Sequence, residues 1–272
     1  MKKVLFATTA LVASAGFAAA DFTITGGAVA GLKDTGSGDA YLHTEIDFNI
    51  VGSGTSDNGL TFGASIDLDD EHDGTGRVSD TEIFVSGSFG TVTVGELDNA
   101  IDGVGMPDLG FDGIGIDDDV EANRNAGGAN FNYAYSMDAF SLAVSADLGD
   151  DSDHEFGLAV GYSANGLGVK VGYNSDDFDD DSWALQASYS ANALTVGALY
   201  ADNGSDNGFG VWASYAMDAL TITVAANDVE NGGDNDYGVG FSYGLGGGLS
   251  VAGAFGEVDG ETVMDLGLTM SF

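Results

Sequence analysis

The 272-residue sequence has no cysteine and only one proline, Pro107. Without cysteine there are no disulfide bonds and no cysteine-based zinc site, so strand pairing and burial must hold the fold together. The chain contains 44 glycines without a regular triplet, which argues against collagen, and glycine is costly inside helices. These features favour extended strands joined by tight turns.

Basic residues are also scarce. Lysine and arginine number 6 against 44 aspartates and glutamates, which gives a formal charge of −38. Such a chain cannot bind nucleic acid, because neutralising phosphates requires a basic surface. Strong acidity often indicates disorder, but 44% hydrophobic and 10% aromatic residues are enough to form a folded structure.

Residues 1–20, MKKVLFATTALVASAGFAAA, have the pattern of a secretory signal peptide. Two lysines precede a short apolar run, and three alanines stand before Asp21. The run is too short for a membrane helix. We expect cleavage before Asp21, which leaves residues 21–272 as a single domain and, by removing both lysines, changes the formal charge from −38 to −40.

Period-two alternation between turn signals predicts sixteen strands. They cover residues 22–33, 41–51, 60–68, 80–89, 91–97, 129–137, 139–148, 155–164, 166–174, 182–190, 193–201, 208–216, 219–227, 236–243, 249–256 and 261–272. Short turns such as Asn165-Gly166 alternate with acidic loops such as GDDSDH, so tight turns and acidic loops are expected at opposite ends.

The two faces of these strands differ consistently. One face carries large apolar and aromatic residues, and the other carries glycine, serine, alanine, threonine and nearly all charges within the strands. Glu96 is the exception, and Gly95 beside it indicates a bulge or a strand end. A soluble β-sandwich would place its large residues inside. Tyrosines near strand ends and an apolar face almost free of charge instead favour two membrane interfaces with lipid between them.

These patterns predict an all-β fold, a transmembrane antiparallel β-barrel. Closure pairs every backbone group that lipid would otherwise leave unpaired. Sixteen strands leave an aqueous lumen, which eight would not. The last strand, residues 261–272, is expected to close the barrel by pairing with residues 22–33.

One connection is far longer than the others. Residues 98–128 follow the fifth strand, contain Pro107 and combine apolar residues with many carboxylates. Long loops in compact structures are usually functional or disordered, and the apolar residues favour an ordered, packed loop. Folded into the lumen, it would form a negative constriction, with candidate residues Asp98, Asp102, Asp108, Asp112, Asp117, Asp118, Asp119, Glu121 and Arg124.

Three segments resemble the alphaproteobacterial trimeric general porins: GTSDNGLTFGASIDL at 54–68, FVSGSFGTVTVGELDNAID at 84–102, and YGLGGGLSVAGAFGEVDGETVMDLGLTMSF at 243–272. The resemblance implies a sixteen-stranded diffusion porin in the outer membrane of a Gram-negative bacterium, with residues 98–128 as the inward-folded constriction loop. It also implies a homotrimer surrounded by outer-membrane lipid and lipopolysaccharide. The terminal Phe272 resembles the signal read by the barrel-assembly machinery.

The chain departs from that family at the barrel wall. The porins it resembles carry arginines on the early strands opposite the acidic loop, whereas the second strand here has His43, Glu45 and Asp47. The expected lumen wall comprises Lys33, His43, Glu45, Asp47, Asp67 and Glu82. An excess of one charge in a narrow aqueous constriction attracts counter-ions, so we expect a cation-preferring channel for small hydrophilic solutes and ions.

Two alternatives remain open, and a third is not expected. Clustered carboxylates suit calcium, which makes Asp117, Asp118 and Asp119 a possible calcium site; no cofactor is otherwise expected, and a solvated acidic surface is the simpler explanation of the cluster. A non-conducting barrel acting as a surface adhesin or structural protein would have the same pattern. An enzyme is not expected, because the three histidines, His43, His72 and His154, suggest no nucleophile and base by their spacing.

Overall fold

The computed structural model describes residues 21–71, 77–149, 154–176, 181–230 and 235–272. Within these ranges sixteen antiparallel strands form one closed barrel. The first eight are β1 Asp21–Asp34, β2 Tyr41–Thr55, β3 Thr61–Glu71, β4 Arg77–Gly87, β5 Gly90–Asp98, β6 Gly128–Met137, β7 Phe140–Ala146 and β8 Glu155–Ala164. The second eight are β9 Leu167–Asp176, β10 Ser182–Ala191, β11 Leu194–Asp202, β12 Asn207–Met217, β13 Leu220–Val229, β14 Tyr237–Gly246, β15 Leu249–Val258 and β16 Glu261–Ser271.

The predicted strand number and order are confirmed, and most strand ends lie within a few residues of the prediction. Arg77, which the sequence pattern placed in a loop, is instead the first residue of β4. The barrel closes between β1 and β16, with Lys33 opposite Asp265 and Gly27 opposite Ser271. Phe272 extends this pairing, because its backbone N–H donates to Gly26 O at 3.0 Å and its carbonyl accepts from Gly26 N at 2.8 Å.

The outer face of the barrel is apolar and exposed. Along β16, Met264, Leu266 and Leu268 alternate with the buried residues Val263, Asp265 and Gly267. Successive side chains of a strand point to opposite faces, so this alternation separates an outer apolar surface from a lumen-facing surface. An exposed apolar surface that surrounds the barrel is stable only against lipid.

Tight turns join the strands at one end. Asn165 and Gly166 both have positive φ, 52° and 82°, as required by the two-residue turn that matches strand twist. Asp138, Asn192 and Asp218 have similar values, between 49° and 54°, in the corresponding turns. Asparagine and aspartate tolerate this conformation better than most residues, which explains their presence in these turns.

A bulge in β5 explains Glu96. Val94 pairs with Phe131 and Leu97 pairs with Ala129, so Gly95 and Glu96 together lie opposite Asn130. Gly95 adopts φ 149°, which favours glycine. The extra residue shifts the alternation and places Glu96 on the face of Asn130, whose side chain bonds the lumen residue Asp147. The apparent exception therefore joins the other charges.

Two short helices, the 3-10 helix Ala100–Gly103 and α1 Asp118–Ala122, lie between β5 and β6. No helix in the described ranges is long and apolar enough to span a membrane.

Candidate functional site

Residues 99–127, here called the inner loop, lie inside the barrel against its wall. Within the described residues, their apolar side chains form a buried hydrophobic cluster with lumen-facing wall residues such as Leu199 and Trp212. The large apolar side chains of the inner loop that are nearly or fully buried are Ile101, Val104, Leu109, Phe111, Ile114, Ile116 and Val120. A loop with this much buried apolar surface is an ordered part of the structure.

Glycines on the lumen face make room for these side chains. A Cβ on Gly172 of β9 would lie 2.6 Å from Ile101 Cγ1, and one on Gly267 of β16 would lie 2.7 Å from Phe111 Cγ. Gly240 of β14 similarly faces Leu109. The richness of the polar face in glycine therefore allows the inner loop to pack directly on the barrel backbone.

Polar groups hold the first residues of the inner loop. The side chain of Asn99 donates to Glu155 Oε1 at 2.9 Å and to Asn174 Oδ1 at 2.8 Å. The backbone N–H of Ala100 donates to Ser145 Oγ at 2.8 Å. These bonds connect the start of the loop to β7, β8 and β9, and satisfy polar groups that are buried.

The far end of the loop is held by a carboxylate of β16. Asp265 Oδ2 accepts from the backbone N–H of Phe111 at 2.9 Å and of Asp112 at 3.3 Å, while Oδ1 accepts from Ala254 N at 2.7 Å. Lys33 Nζ donates to Asp112 Oδ2 at 2.8 Å, and His43 Nε2 lies 3.0 Å from the same oxygen. The loop tip is thus fixed across the β1–β16 closure and next to β2.

Arg124 braces the two limbs of the inner loop. Its guanidinium donates to Glu121 Oε2 at 2.7 Å and to the carbonyls of Asp102 and Val104 at 3.1 and 2.9 Å. The residue is 9% exposed, and five donors in a planar fork suit it to bridging several oxygens. Lys170 Nζ likewise donates to the Gly103 carbonyl at 2.6 Å. The lysines and arginines whose side chains the structure describes therefore all bond the inner loop.

Carboxylates line the neighbouring wall, on β2, β3 and β4. Asp47 pairs with Asp69 and Asp67 with Asp80 in the strand register. Ser65 Oγ donates to Glu82 Oε2 at 3.1 Å. We call this wall the acidic stripe; its members are Glu45, Asp47, Asp67, Asp69, Asp80 and Glu82.

Several carboxyl groups of the inner loop hold their protons more tightly than usual. Burial, reinforced by the neighbouring Asp108 carboxylate, raises the pKa of Asp117 to about 8. Burial also raises the pKa of Asp102 and Glu121, although the Arg124 charge opposes the shift in both. The pKa of Asp119 is raised by burial and then by Asp236 and Asp259. Asp117 is therefore mostly neutral near pH 7.

A sequence profile described as Gram-negative porin matches residues 7–262. The chain belongs to the Gram-negative porin family. Two engineered variants of the porin from Rhodopseudomonas blastica have the same fold, with TM-scores of 0.80 and 0.79; each is 24% identical over 92% of this chain and 100% of the other. No curated protein sequence matches the chain. This porin is accordingly a multi-pass channel protein of the outer membrane.

The structure distributes the predicted constriction residues of this porin among different roles. Asp98 ends β5, and the other eight lie in the inner loop. Asp102, Asp112, Glu121 and Arg124 form bonds that hold the loop, whereas Asp108 and Asp118 are exposed. The predicted wall residues Lys33, His43, Glu45, Asp47, Asp67 and Glu82 lie on the lumen face of β1 to β4, opposite the exposed apolar residues.

The possible calcium residues do not form one cluster in the described ranges. Asp119 is close to Asp236 and Asp259, with one carboxylate oxygen of each within 4.8 Å of the others, whereas Asp117 faces Asp108 and Glu121. Calcium at Asp117, Asp118 and Asp119 stays a prediction. His72 and residues 1–20 lie outside the described residues.

The sequence prediction of the site missed the polar residues that hold the inner loop, above all Asp265, Asn174 and Glu155. Asp265 belongs to the polar face of its strand by alternation, but nothing in that strand indicates a partner 154 positions away. A carboxylate in the middle of an otherwise apolar and small-residue strand is the one signal that points to it, because a charge there needs compensation.

Proposed function

We propose that this porin is a diffusion channel for small hydrophilic solutes that prefers cations, with the inner loop as its constriction. One observation supports the preference. The described lysine and arginine side chains are engaged by the inner loop, while the six carboxylates of the acidic stripe face the lumen beside it. Fixed negative charge around an aqueous path concentrates cations and repels anions.

The protonation of Asp117 does not remove this excess. Asp117 is buried behind exposed residues of the same loop, so its neutral form costs the lumen one charge at most. Asp108 and Asp118 remain exposed on the inner loop. Both sides of the path therefore carry carboxylates.

The reversal potential of the porin in a planar bilayer under a KCl gradient tests the preference. A sign that reports K⁺ permeation is expected, and replacing Asp67 and Glu82 together with their amides should move the potential towards zero. The double substitution of Asp138 and Asp218, two exposed turn residues, with asparagine removes the same charge and serves as the control. An anion-selective potential would refute the proposal.

We also propose the homotrimer, the calcium ion and the cleavage before Asp21 on grounds that the sequence supplies. Stepwise closure of a single insertion in three equal steps would support three open pores per assembly. Absence of conductance in the purified protein would favour the alternative, a structural or adhesive barrel. Sequencing the first residues of the protein from outer membranes tests the cleavage site.

A further inference from the structure

His43 of β2 is buried at the lumen face, with 8% of its surface exposed. Its Nε2 atom has no hydrogen-bond partner within the described part of the chain. A buried polar nitrogen without a partner costs free energy comparable to a lost hydrogen bond, so such an atom calls for an explanation.

The atoms around Nε2 are of the types that bind metal ions, and their spacing suits a metal site. Asp112 Oδ2 lies 3.0 Å from Nε2 without forming a hydrogen bond to it, and Glu45 Oε2 lies 3.8 Å from it. One ligand atom from each of the three residues lies within 4.8 Å of the others. Around a tetrahedral zinc ion with bonds of about 2.0–2.2 Å, ligand atoms are separated by roughly 3.3–3.6 Å, so small side-chain shifts suffice.

The local charge suits a divalent cation. Glu45 and Asp112 place two carboxylates beside His43, and Asp265 adds a third next to Asp112. One ammonium faces them, that of Lys33, which bonds Asp112 Oδ2 at 2.8 Å. Two negative charges are therefore left uncompensated when His43 is neutral. Lys33 donates a hydrogen bond to the Asp112 side chain, and Asp265 accepts hydrogen bonds from the backbone beside it. Both interactions keep Asp112 in place, as outer partners do for metal-binding carboxylates.

We propose that His43, Glu45 and Asp112 bind a first-row divalent transition metal ion of the Zn²⁺ class, with water completing its coordination. An imidazole ligand favours zinc, copper, nickel or cobalt over the oxygen-seeking Ca²⁺ and Mg²⁺. Three protein ligands and an open position form a common zinc arrangement. The ion would join β2 to the tip of the inner loop, beside the solute path.

Titration calorimetry of Zn²⁺ binding to the purified full-length porin in detergent tests this proposal. Excess Mg²⁺ in the buffer occupies the many sites built from carboxylates alone. We expect one Zn²⁺ per chain to bind despite the Mg²⁺. His43→Ala and Asp112→Asn should each weaken that binding by at least about tenfold, the lower limit for the loss of even an outer-shell partner. The matched control is His154→Ala, which removes an exposed histidine outside this cluster.

Co²⁺ provides a second measurement that reports the ligands themselves. The wild-type porin should give the visible absorption bands of low-coordinate Co²⁺, and the His43→Gln variant, which keeps a polar side chain of similar length, should not. Zn²⁺ binding that is unchanged in both His43 variants, or that disappears in excess Mg²⁺, would overturn the proposal. Neither measurement depends on conduction. A negative result for the metal site would therefore not refute the cation-preferring channel, and a negative reversal-potential experiment would not refute the metal site.

Discussion

The tip of the inner loop should depend strongly on Asp265. The Asp265→Asn substitution keeps the shape of the side chain but removes its charge and replaces one acceptor oxygen with a donor. In one orientation of the new amide, its NH₂ group faces the N–H groups of Phe111 and Asp112. In the other orientation, it faces the N–H group of Ala254. A buried N–H that loses its acceptor is left with its full desolvation cost.

The size of the effect follows from these bonds. Hydrogen bonds to charged groups contribute about 1.5–3 kcal/mol each, and such contributions are not additive. We therefore expect the free energy of opening the loop tip to fall by about 2 kcal/mol, which corresponds to a roughly 30-fold larger open population. Phe111, which is 1% exposed, would be released from its position against Gly31 and Gly267.

Amide hydrogen exchange followed by mass spectrometry measures this opening. Peptides that cover residues 109–113 should exchange roughly 30-fold faster in Asp265→Asn than in the wild type when opening precedes exchange. Peptides from β8 and β9 should not change. Asp218→Asn, in an exposed turn, controls for the loss of one negative charge. Unchanged exchange at residues 109–113 would show that other contacts determine the position of the tip.

Three further predictions concern other parts of the barrel. Gly172→Ala inserts a methyl group against Ile101 and should destabilise docking of the loop by about 1–3 kcal/mol, seen as faster exchange of residues 100–106; Gly128→Ala, with open space around it, should not. Because the pKa of Asp117 is raised from 3.8 to about 8, its protonation stabilises docking in full below about 3.8, and that contribution falls as the pH rises and is lost above about 8. Loop exchange corrected for intrinsic rates should therefore accelerate as the pH rises towards about 8 and level off above it, and Asp117→Asn should abolish this dependence. Phe272→Ala removes the ring packed against Phe48 at 5.7 Å and should lower the yield of assembled barrel in outer membranes, whereas an equal yield would remove Phe272 as an assembly signal.

The strands could be predicted from the sequence because each strand of a lipid-facing barrel alternates apolar residues, which face lipid, with small or polar residues, which face the lumen. Alternation along β16, for example, needs no knowledge of any other strand. The bulge at Gly95 was also indicated locally, since Glu96 broke the pattern of its strand. Local signals of this kind are the ones that a single sequence retains.

The contacts of the inner loop could not be predicted in the same way. Asp265 accepts a hydrogen bond from Phe111, which lies 154 positions away in the sequence, and Asn174 accepts one from Asn99, which lies 75 positions away. Such pairs depend on how far the loop travels around the barrel, which composition does not encode. The same reason explains why Arg124 was expected to line the constriction, while in the structure it also braces the loop.

The course of the inner loop moves the solute path away from the barrel axis. The described contacts of the loop fall on β7 to β16, on β1 and on His43 of β2, whereas the acidic stripe lies on β2, β3 and β4. A solute therefore travels along one side of the cylinder, between a wall built from rigid strands and a lining built from irregular chain. Barrel closure depends on the strands of the wall but not on the lining, so a widened pore is more easily obtained by shortening the lining than by altering the wall.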